Sequence, residues 1–512
     1  MKTNIVIIGG GASCISFMDA LLKRNLQEKF NELSLTILEK SSEIGPGNAY
    51  ISDLSSNILN TKAGYITIFK DHPGDFYNWL ECNEYKWKLN FPDLKITRDT
   101  YVPRPLFGMY MKDAFAYICS SCQHRGVRIK VIRDEAIEIE QLEKNKVNVI
   151  TKNGISIVAD KVVLACGTQQ RSSMLPPYSP NIISTPYPTQ YLNQKISTDE
   201  SVAIIGARLS AIDATIGLIE NGHIGPITIY SRSGYFPCVR GIQGRYKNVY
   251  LTPDYIAKHY PKLDFYTLGC LYQQEREHYQ MQSGEDYFED LPLPTNPIDN
   301  LEEFLVKELG LAKRNRGWQA ILYDTNASID QMWDRLCAED QELFVKRYLS
   351  SAMSMRVSIP VENAEKILSY LRSGQLKFVT GPSSVGLKNN QLAVHCNNVS
   401  VPTDKVIYAV GSPKYLDQID SQLIRNLIGS GISVENKFGG IDVCKNNYGL
   451  FCKEGEMSTN IFAIGELTSG RFLFTSALDI IIRHAHACAA SIEKFIIQRD
   501  RSESQTGFQE LA

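Results

Sequence analysis

The chain has 512 residues, a hydrophobic content of 43% and a formal net charge of −2. Its length exceeds that of one ordinary domain, which predicts a protein of two or three domains, and its near-neutral charge gives no electrostatic reason to expect nucleic acid or a membrane as a partner. The twelve cysteines are scattered along the chain, which favours reduced thiols over a disulfide framework.

The first residues do not combine a basic segment with the apolar stretch of a secretory signal, and no run of about 18 apolar residues occurs. These features predict a cytoplasmic protein that does not span a membrane.

The first motif, NIVIIGGGASCISFM at residues 4–18, is an apolar strand, a glycine turn and then apolar residues at helical spacing. This order is typical of the first βα unit of a dinucleotide-binding domain. Gly9 permits the tight turn, and Gly11 leaves room for a pyrophosphate above the helix N-terminus. Cys14 occupies the third position, where a small residue allows the helix to contact the strand.

The next strand, LSLTILEK at 33–40, ends in Glu39 and Lys40. An acidic side chain at this strand end can accept hydrogen bonds from a ribose hydroxyl. The glycines, their spacing, the strand and the acid therefore predict a dinucleotide site that includes Glu39 and Lys40.

Three later strands also end at a glycine. They are VVLACGT (162–168), KVIYAVGS (405–412) and NIFAIGELTSG (460–470), and their glycines are Gly167, Gly411 and Gly465. This arrangement resembles flavoproteins with two dinucleotide-binding domains, in which the middle strands pass between the domains and a late strand, ending in glycine and an acid, returns to the FAD domain. The resemblance implies that Gly167, Gly465 and Glu466 bind FAD.

Four segments extend the resemblance to the YdhS-like FAD/NAD(P)-binding flavoproteins, which are related to flavin-dependent monooxygenases. They are GPGNAY (45–50) with NILNTKAG (57–64), YVPRPLFGMYMKDAF (101–115), residues 318–360 and GELTSGRFLFTSA (465–477). The resemblance implies a bound FAD with Asn60 and Arg104 near it, and a substrate side near Arg356. The chain departs from the expected His-Arg-rich stretch before Pro360, where AMSMRVSIP keeps Arg356 but has Met353 and Met355.

A second turn follows the strand SVAII at 201–205, with Gly206 first and Ser210 and Ala211 opening a helix. Arg208 stands where a second glycine normally lets a pyrophosphate approach the backbone. Its side chain either blocks that approach or pairs with the pyrophosphate, and both alternatives stay open.

The strand after this turn, PITIYSRSG at 226–234, ends in Ser231 and Arg232 without an acid. An arginine at this point favours the 2′-phosphate of NADPH, and Ser231 can add a hydroxyl donor. We therefore predict that Gly206, Arg208, Ser210, Ser231 and Arg232 bind NADPH, with a fold-only role as the alternative.

These landmarks predict an α/β protein with two Rossmann-like domains of the FAD and NADP types and a helical insertion. The predicted parts are an FAD domain at 1–195 and 376–497, an NAD(P)-like domain at 196–375 with the insertion at about 241–360, and a frayed tail at 498–512.

Two other patterns are weaker evidence for a function. Cys119 and Cys122 form a C-x-x-C pattern on a predicted helix, which favours packing over a redox dithiol. His484 and His486 lack the i, i+4 spacing or further ligands of a zinc site, so we predict no metal.

The leading hypothesis is an FAD-dependent oxidoreductase, an NADPH-dependent monooxygenase acting on a small molecule. The alternatives are a flavin oxidase or dehydrogenase that does not use NADPH, and a non-catalytic FAD-binding regulatory protein. Asn60, Arg356 and Arg471 are the candidate catalytic residues, and the two arginines suggest an anionic substrate.

Overall fold

The computed structural model describes residues 2–24, 32–143, 145–172, 180–292, 297–388 and 391–509. The chain divides into two units, a first unit of residues 1–55, 61–172 and 412–512 and a second unit of residues 56–60 and 173–411.

The strands of the described residues form two larger sheets and two small antiparallel ones. They are β1 (Thr3–Ile8), β2 (Leu33–Leu38), β3 (Arg128–Ile132), β4 (Ala136–Leu142), β5 (Lys146–Thr151), β6 (Ser156–Ala159), β7 (Lys161–Leu164), β8 (Ile182–Ile183), β9 (Val202–Ile205), β10 (Ile227–Ser231), β11 (Leu376–Thr380), β12 (Ser383–Lys388), β13 (Gln391–Cys396), β14 (Val399–Pro402), β15 (Lys405–Tyr408), β16 (Gly449–Phe451) and β17 (Met457–Ala463).

The helices are distributed over both units. They are α1 (Ala12–Leu22), α2 (Asp75–Cys82), α3 (Glu84–Trp87), α4 (Arg104–His124), α5 (Leu192–Lys195), α6 (Leu209–Glu220), α7 (Pro253–His259), α8 (Phe265–Ser283), α9 (Leu301–Ala312), α10 (Gly317–Asp324), α11 (Ile329–Arg335), α12 (Ala338–Leu343), α13 (Leu349–Arg356), α14 (Val361–Arg372), α15 (Gln422–Gly429) and α16 (Leu478–Gln509). A π-helical turn, Phe344–Tyr348, joins α12 to α13.

The first unit is built on a six-stranded sheet in the order β16-β17-β7-β1-β2-β3. All neighbours in it are parallel except β16 and β17. Its strands are apolar along most of their length, as expected when a parallel sheet is covered on both faces. From β1 the chain proceeds through α1 to β2 on one side, while β7 lies on the other side. The strand order therefore reverses at β1, and ligands of open α/β sheets bind outside the carboxyl ends of strands at such a point.

The second unit repeats this topology in a parallel five-stranded sheet ordered β11-β10-β9-β15-β8. From β9 the chain proceeds through α6 to β10, and β15 lies on the other side of β9. The core beneath the sheet combines apolar side chains of the strands, α6, α9 and α14, including Ile204, Ile212, Ile229, Leu305 and Ile367. The predicted α/β class with two Rossmann-type sheets is confirmed.

The boundaries between the units differ from those that the sequence predicts. β15 pairs with β9 and β8, so the chain returns to the first unit at 412, whereas the prediction places the return at 376. The crossing into the main part of the second unit follows residue 172, whereas the prediction places it at 195. The physical reason is pairing: the short strands β8 and β15 lack the length to indicate from sequence which sheet they join.

The described residues of the predicted insertion, about 241–360, contain the helices α7 to α13. The final helix continues to Gln509, although the sequence predicts a frayed tail from 498, and residues 510–512 of that tail lie outside the described residues. No helix among the described residues is both long enough and apolar enough to cross a membrane.

Candidate dinucleotide sites

The first glycine turn lies at the carboxyl end of β1. Gly9 has a φ of +105°, which side chains rarely adopt, and a Cβ added there would overlap the carbonyl oxygen of Ala165 at the end of β7. The Gly9 amide donates to the Leu38 carbonyl at 2.8 Å. Gly9 therefore allows the ends of β1, β2 and β7 to meet. Only glycine fits both the positive φ and the narrow space beside the Ala165 carbonyl.

Gly11 begins α1 in extended backbone, with φ −90° and ψ −156°. A Cβ added to Gly11 would meet only Gly47, whose Cα lies 3.4 Å away, and Gly47 itself has a φ of +56°. The two glycines thus face each other and leave a cradle lined by backbone. Because Gly11 has no side chain to cap the helix, the first N–H groups of α1 are open to an anion, and the cradle fits a pyrophosphate.

Glu39 follows β2 and is tied to the glycine turn. Its carboxylate accepts hydrogen bonds from the amides of Gly10, at 2.6 Å, and Ser41, at 2.7 Å. A carboxylate offers about four acceptor positions, so it retains capacity for ribose hydroxyls. Lys40 is exposed and lies 3.3 Å from Glu135, so it points to a surface ion pair.

Cys14 is fully buried in α1, with its sulfur 3.8 Å from the Met18 sulfur. Burial raises the pKa of its thiol, and nearby Cys119, Glu39 and Cys122 add to the rise. Burial also raises the pKa of Cys119 to about 11 and that of Cys122 to about 12. A reactive dithiol requires a lowered pKa, so these free thiols behave as packing residues.

Two segments that carry the sequence resemblance, 45–50 and 101–115, pack against each other in the first unit. Gly45 has a φ of +110°, and a Cβ there would lie 2.6 Å from the Met111 carbonyl oxygen of α4. A Cβ added to Gly108 of α4 would overlap the Tyr50 carbonyl oxygen. The Gly45 amide donates to the Gly10 carbonyl at 2.8 Å, which connects this packing to the glycine turn.

The glycines Gly45, Gly47 and Gly108 have no role in the sequence-based prediction. The available signals are the G-P-G triplet and a glycine inside a helix, but their partners are distant in the chain. Arg104, which the resemblance places near FAD, is the half-buried first residue of α4. Burial raises the pKa of Tyr50, and the positive charge of Arg104 opposes that rise.

The loop after β17 reaches the start of α1. Gly465 has a φ of +77°, and a Cβ there would lie 3.0 Å from the Ser13 hydroxyl. Burial raises the pKa of the neighbouring, half-buried Glu466, and Lys414 opposes the rise. Two acids, Glu39 and Glu466, therefore flank the first turn.

Arg471, in the same loop, forms an ion pair with Asp442, with Nη2 at 2.8 Å from Oδ1. Asn436 donates to the same carboxylate oxygen at 2.8 Å. Gly167, after β7, has a φ of +62° and no atom within 4 Å of an added Cβ, so its conformation, and not crowding, accounts for the glycine.

The second glycine turn repeats the first in the other unit. Gly206 has a φ of +114°, and a Cβ there would overlap the carbonyl oxygen of Ala409 after β15. The Gly206 amide donates to the Tyr230 carbonyl at 2.9 Å. Gly206 and Ala409 thus have the same relation as Gly9 and Ala165.

Arg208 begins α6 in extended backbone, with φ −105° and ψ −163°. Its half-buried guanidinium lies with Nη2 3.5 Å from the Ser350 hydroxyl of α13. Burial lowers the pKa of Arg208, and the positive charge of Arg232 lowers it further. Two arginines therefore flank the second turn.

The other predicted residues of this turn differ in accessibility. Ser231 is 3% exposed and its hydroxyl donates to the Tyr235 carbonyl at 3.3 Å, whereas Arg232 is exposed. The Ser210 hydroxyl lies 3.4 Å from Tyr187 Oη, which donates to Asp213 at 2.5 Å.

Arg356 and Asn60 belong to the second unit. Arg356 ends α13, where its guanidinium donates to the Thr325 hydroxyl at 2.8 Å and to the Asn326 side chain. Asn60 is half-buried. His484 and His486 are buried in α16, and no group of three potential metal ligands occurs among the described residues.

Residues 6–169 match a protein family described as FAD-NAD(P)-binding. No curated protein sequence matches the chain significantly.

Solved structures of similar fold cover almost the whole chain. The reduced form of ornithine hydroxylase PvdA from Pseudomonas aeruginosa has 15% identity, covers 97% of this chain and 100% of its own, and gives a TM-score of 0.55. The ornithine N-hydroxylase KtzI from Kutzneria sp. 744, with reduced FAD, NADP+ and L-ornithine, has 13% identity, covers 96% and 99%, and gives 0.55. The FAD-bound cadaverine monooxygenase DfoA from Erwinia amylovora has 13% identity, covers 96% and 94%, and gives 0.56. These similarities establish a common fold.

Proposed function

We propose that the protein is an FAD-dependent oxidoreductase that uses NADPH and transfers oxygen to a small molecule. The observation that carries this proposal is the repetition of one glycine turn in two units with opposite charge around it. Acids flank the first turn and arginines flank the second, which is the difference that an unphosphorylated ribose and a phosphorylated ribose require.

The first unit supplies a fitting place for FAD. The cradle between Gly11 and Gly47 and the start of α1 would hold the pyrophosphate, and Glu39 would accept hydrogen bonds from the adenosine ribose. Glu466 would lie toward the flavin end of the molecule, with Gly167 and Arg104 as further contacts. The match of residues 6–169 to an FAD-NAD(P)-binding family supports this assignment.

The second unit would bind NADPH. Arg232 is exposed after β10, where a guanidinium can bind the 2′-phosphate in a charge-assisted hydrogen bond. The main role of Ser231 is structural, since its hydroxyl already donates to Tyr235. The solved KtzI structure with reduced FAD and NADP+ supports the pairing of these two cofactors on this fold.

A bound flavin would accept a hydride from NADPH and then react with O₂. The role of the protein would be to position the two nucleotides and to exclude water. Asn60, Arg356 and Arg471 remain candidates for the substrate side. Both arginines already bond to protein groups, so an anionic substrate would have to compete with Asp442 or with Thr325 and Asn326. The narrower YdhS-like assignment and the cytoplasmic location also stay predictions.

A second function is favoured by Arg208 itself. If its side chain occupies the pyrophosphate position, the protein would be a flavin oxidase or dehydrogenase that does not use NADPH, or an FAD-binding protein without catalysis.

The test has two steps on purified protein. The flavin released on denaturation is identified, and FAD rather than FMN is expected. Flavin reduction by NADPH and NADH is then measured without oxygen, and NADPH oxidation is measured in air with and without small amines, beginning with L-ornithine and cadaverine. If neither nucleotide reduces the flavin, an NADPH-dependent monooxygenase is excluded and a flavin oxidase or dehydrogenase that does not use NADPH is favoured. A protein that binds no FAD would exclude all three readings.

A further inference from the structure

The second turn holds two arginines without an acid beside them. Among the described residues, no carboxylate forms an ion pair with Arg208 or Arg232, and the hydrogen-bond partner of Arg208 is a neutral hydroxyl. The chain pairs many of its other arginines: Arg316, for example, binds Glu289 and Glu308, each at 2.6 Å.

Sheet register explains why the two arginines lie together. β9 and β10 are parallel neighbours, with Ile205 opposite Tyr230. Arg208 follows the end of β9 by three residues, and Arg232 follows directly after β10. The carboxyl ends of neighbouring parallel strands meet at one edge of the sheet, so both guanidinium groups lie at the edge where such sheets bind ligands.

Two like charges, one of them half-buried, are unfavourable without a counterion. Such a pair at a ligand-binding edge lowers the stability of the folded protein, and a loss of this kind is expected at functional sites. An anionic ligand removes the cost.

Arg208 does not disturb the backbone of the turn. Its φ and ψ of −105° and −163° are close to the −90° and −156° of Gly11, and α6 begins directly after it, as α1 does after Gly11. The first amides of α6 therefore remain available to a phosphate, and only the direction of the arginine side chain decides whether it obstructs or assists.

Ser350 is the hydrogen-bond partner of that side chain. Its hydroxyl accepts from Arg208 Nη2 at 3.5 Å, and it lies in the first turn of α13, directly after the π-helical turn Phe344–Tyr348. A π turn changes the direction of the side chains that follow it, and such turns are frequent at functional sites.

We propose that Arg208 is a ligand of the nicotinamide nucleotide's pyrophosphate, and that Ser350 is a positioning residue that holds the guanidinium aside for it. This inference rests on the proposed function, because it takes the second unit to be the nucleotide site. Arg208 then serves NADPH and NADH alike, since both contain the pyrophosphate, whereas Arg232 serves only the 2′-phosphate.

The experiment measures binding of NADP+, NAD+ and ADP by calorimetry. The protein is loaded with FAD, so that the site in the first unit is already filled. In Arg208→Gln, the Kd of NADP+ and NAD+ rises by the same factor, about tenfold or more, because one charge-assisted bond is lost. ADP, which has the pyrophosphate but no 2′-phosphate, weakens in parallel. Arg372→Gln is the matched control, since Arg372 is an exposed arginine paired with Glu302, and its Kd values stay unchanged.

Other results would contradict the proposal, the proposed function or both. If Arg208 obstructs the site, Arg208→Gly tightens NADP+ and NAD+, and that result overturns the proposal. Unchanged Kd values in Arg208→Gln, with NADPH still reducing the flavin, overturn it too while leaving the proposed function intact. If the nucleotides bind with the expected dependence on Arg208 but never reduce the flavin, the proposal stands and NADPH-dependent oxidation fails. If neither nucleotide binds the wild-type protein, both fail.

Ser350 is tested in the same assay. Ser350→Ala raises the Kd of both nucleotides about two- to tenfold, as expected for one neutral hydrogen bond, and Ser350→Thr, which keeps the hydroxyl, restores it. In the Arg208→Gln background the Ser350→Ala change has no further effect, because a positioning residue acts through its arginine. An equal loss in both backgrounds would show that Ser350 acts independently of Arg208, and would overturn its role as a positioning residue.

Discussion

The turns at Gly9 and Gly206 have nearly the same backbone and opposite charge. Both glycines adopt φ above +100°, and both would overlap an alanine carbonyl on a neighbouring strand if they carried a Cβ. Around the first turn lie Glu39 and Glu466, and around the second lie Arg208 and Arg232. The backbone thus provides a general place for a pyrophosphate, while the side chains at the strand ends select the nucleotide.

The second position of the motif is glycine in the first turn, Gly11, and arginine in the second, Arg208, and the surroundings of the two positions differ. A Cβ added to Gly11 would lie 3.4 Å from the Gly47 Cα, so a long side chain there has to enter the cradle. The Arg208 guanidinium has a hydroxyl partner, Ser350 of α13. The same fold position therefore tolerates an arginine in one unit and excludes it in the other.

The largest effect is expected from filling the first glycine of either turn. Gly9→Ala and Gly206→Ala combine backbone strain with overlap on a carbonyl, so each lowers the free energy of unfolding by about 2 to 5 kcal/mol. Urea unfolding followed by circular dichroism measures both. If the two turns are equivalent, the losses are similar.

The matched controls are Gly154→Ala and Gly222→Ala. Both glycines have positive φ, +82° and +88°, but an added Cβ meets nothing within 4 Å. Strain without overlap costs roughly 1 to 2 kcal/mol. A loss at Gly9 or Gly206 no larger than that of the controls would contradict the packing that we describe at the strand ends.

The second prediction separates folding from cofactor binding at the first turn. Gly11→Asp keeps ordinary backbone angles and ordinary contact with Gly47, so the protein folds, but its carboxylate repels the pyrophosphate and FAD is lost on purification. Flavin absorbance per protein measures the loss, and Gly11→Ala, which adds no charge, retains more flavin. Full retention of FAD in Gly11→Asp would show that the site lies elsewhere.

Much of this arrangement is predictable from sequence because it is local. The strand, the glycine turn and the helix at residues 4–18 and 201–214 lie together in the chain, and the structure confirms the resulting fold class. The partners of those turns are not local: Gly47 opposite Gly11, and Ser350 beside Arg208, are separated by 36 and 142 residues respectively. No periodicity links such pairs.

Short strands are the other limit. β8 has two residues and β15 has four, and their places in the second sheet follow from pairing with β9. The sequence therefore predicts two Rossmann-type units but not where the chain passes between them.

A third prediction makes the second turn resemble the first. Arg232→Ala removes the partner of the 2′-phosphate and erases most of a preference for NADPH over NADH, a change of about 10- to 100-fold in the ratio of kcat/KM values. Arg232→Glu introduces an acid after β10, as Glu39 stands after β2, and shifts the preference toward NADH. Anaerobic flavin reduction by each nucleotide measures both variants. An unchanged ratio would place the 2′-phosphate away from Arg232.

The smallest effect concerns the charge beside the first turn. Burial raises the folded-state pKa of Glu466, and Lys414 opposes the rise without abolishing it. A carboxyl with a raised folded pKa contributes stability that is fully present below its unfolded pKa, about 4.3, and is lost as pH rises through the folded pKa. Glu466→Gln removes the charge, so FAD-free Glu466→Gln is more stable than the FAD-free wild type at pH 7, and the difference shrinks toward pH 4. Thermal unfolding across this range measures it, with the exposed Glu140→Gln as the control. A variant that is less stable than the wild type at pH 7, with a gap that narrows toward pH 4, would show that the ionised Glu466 carboxylate stabilises the folded chain, and the acidic surroundings of the first turn would then be structural.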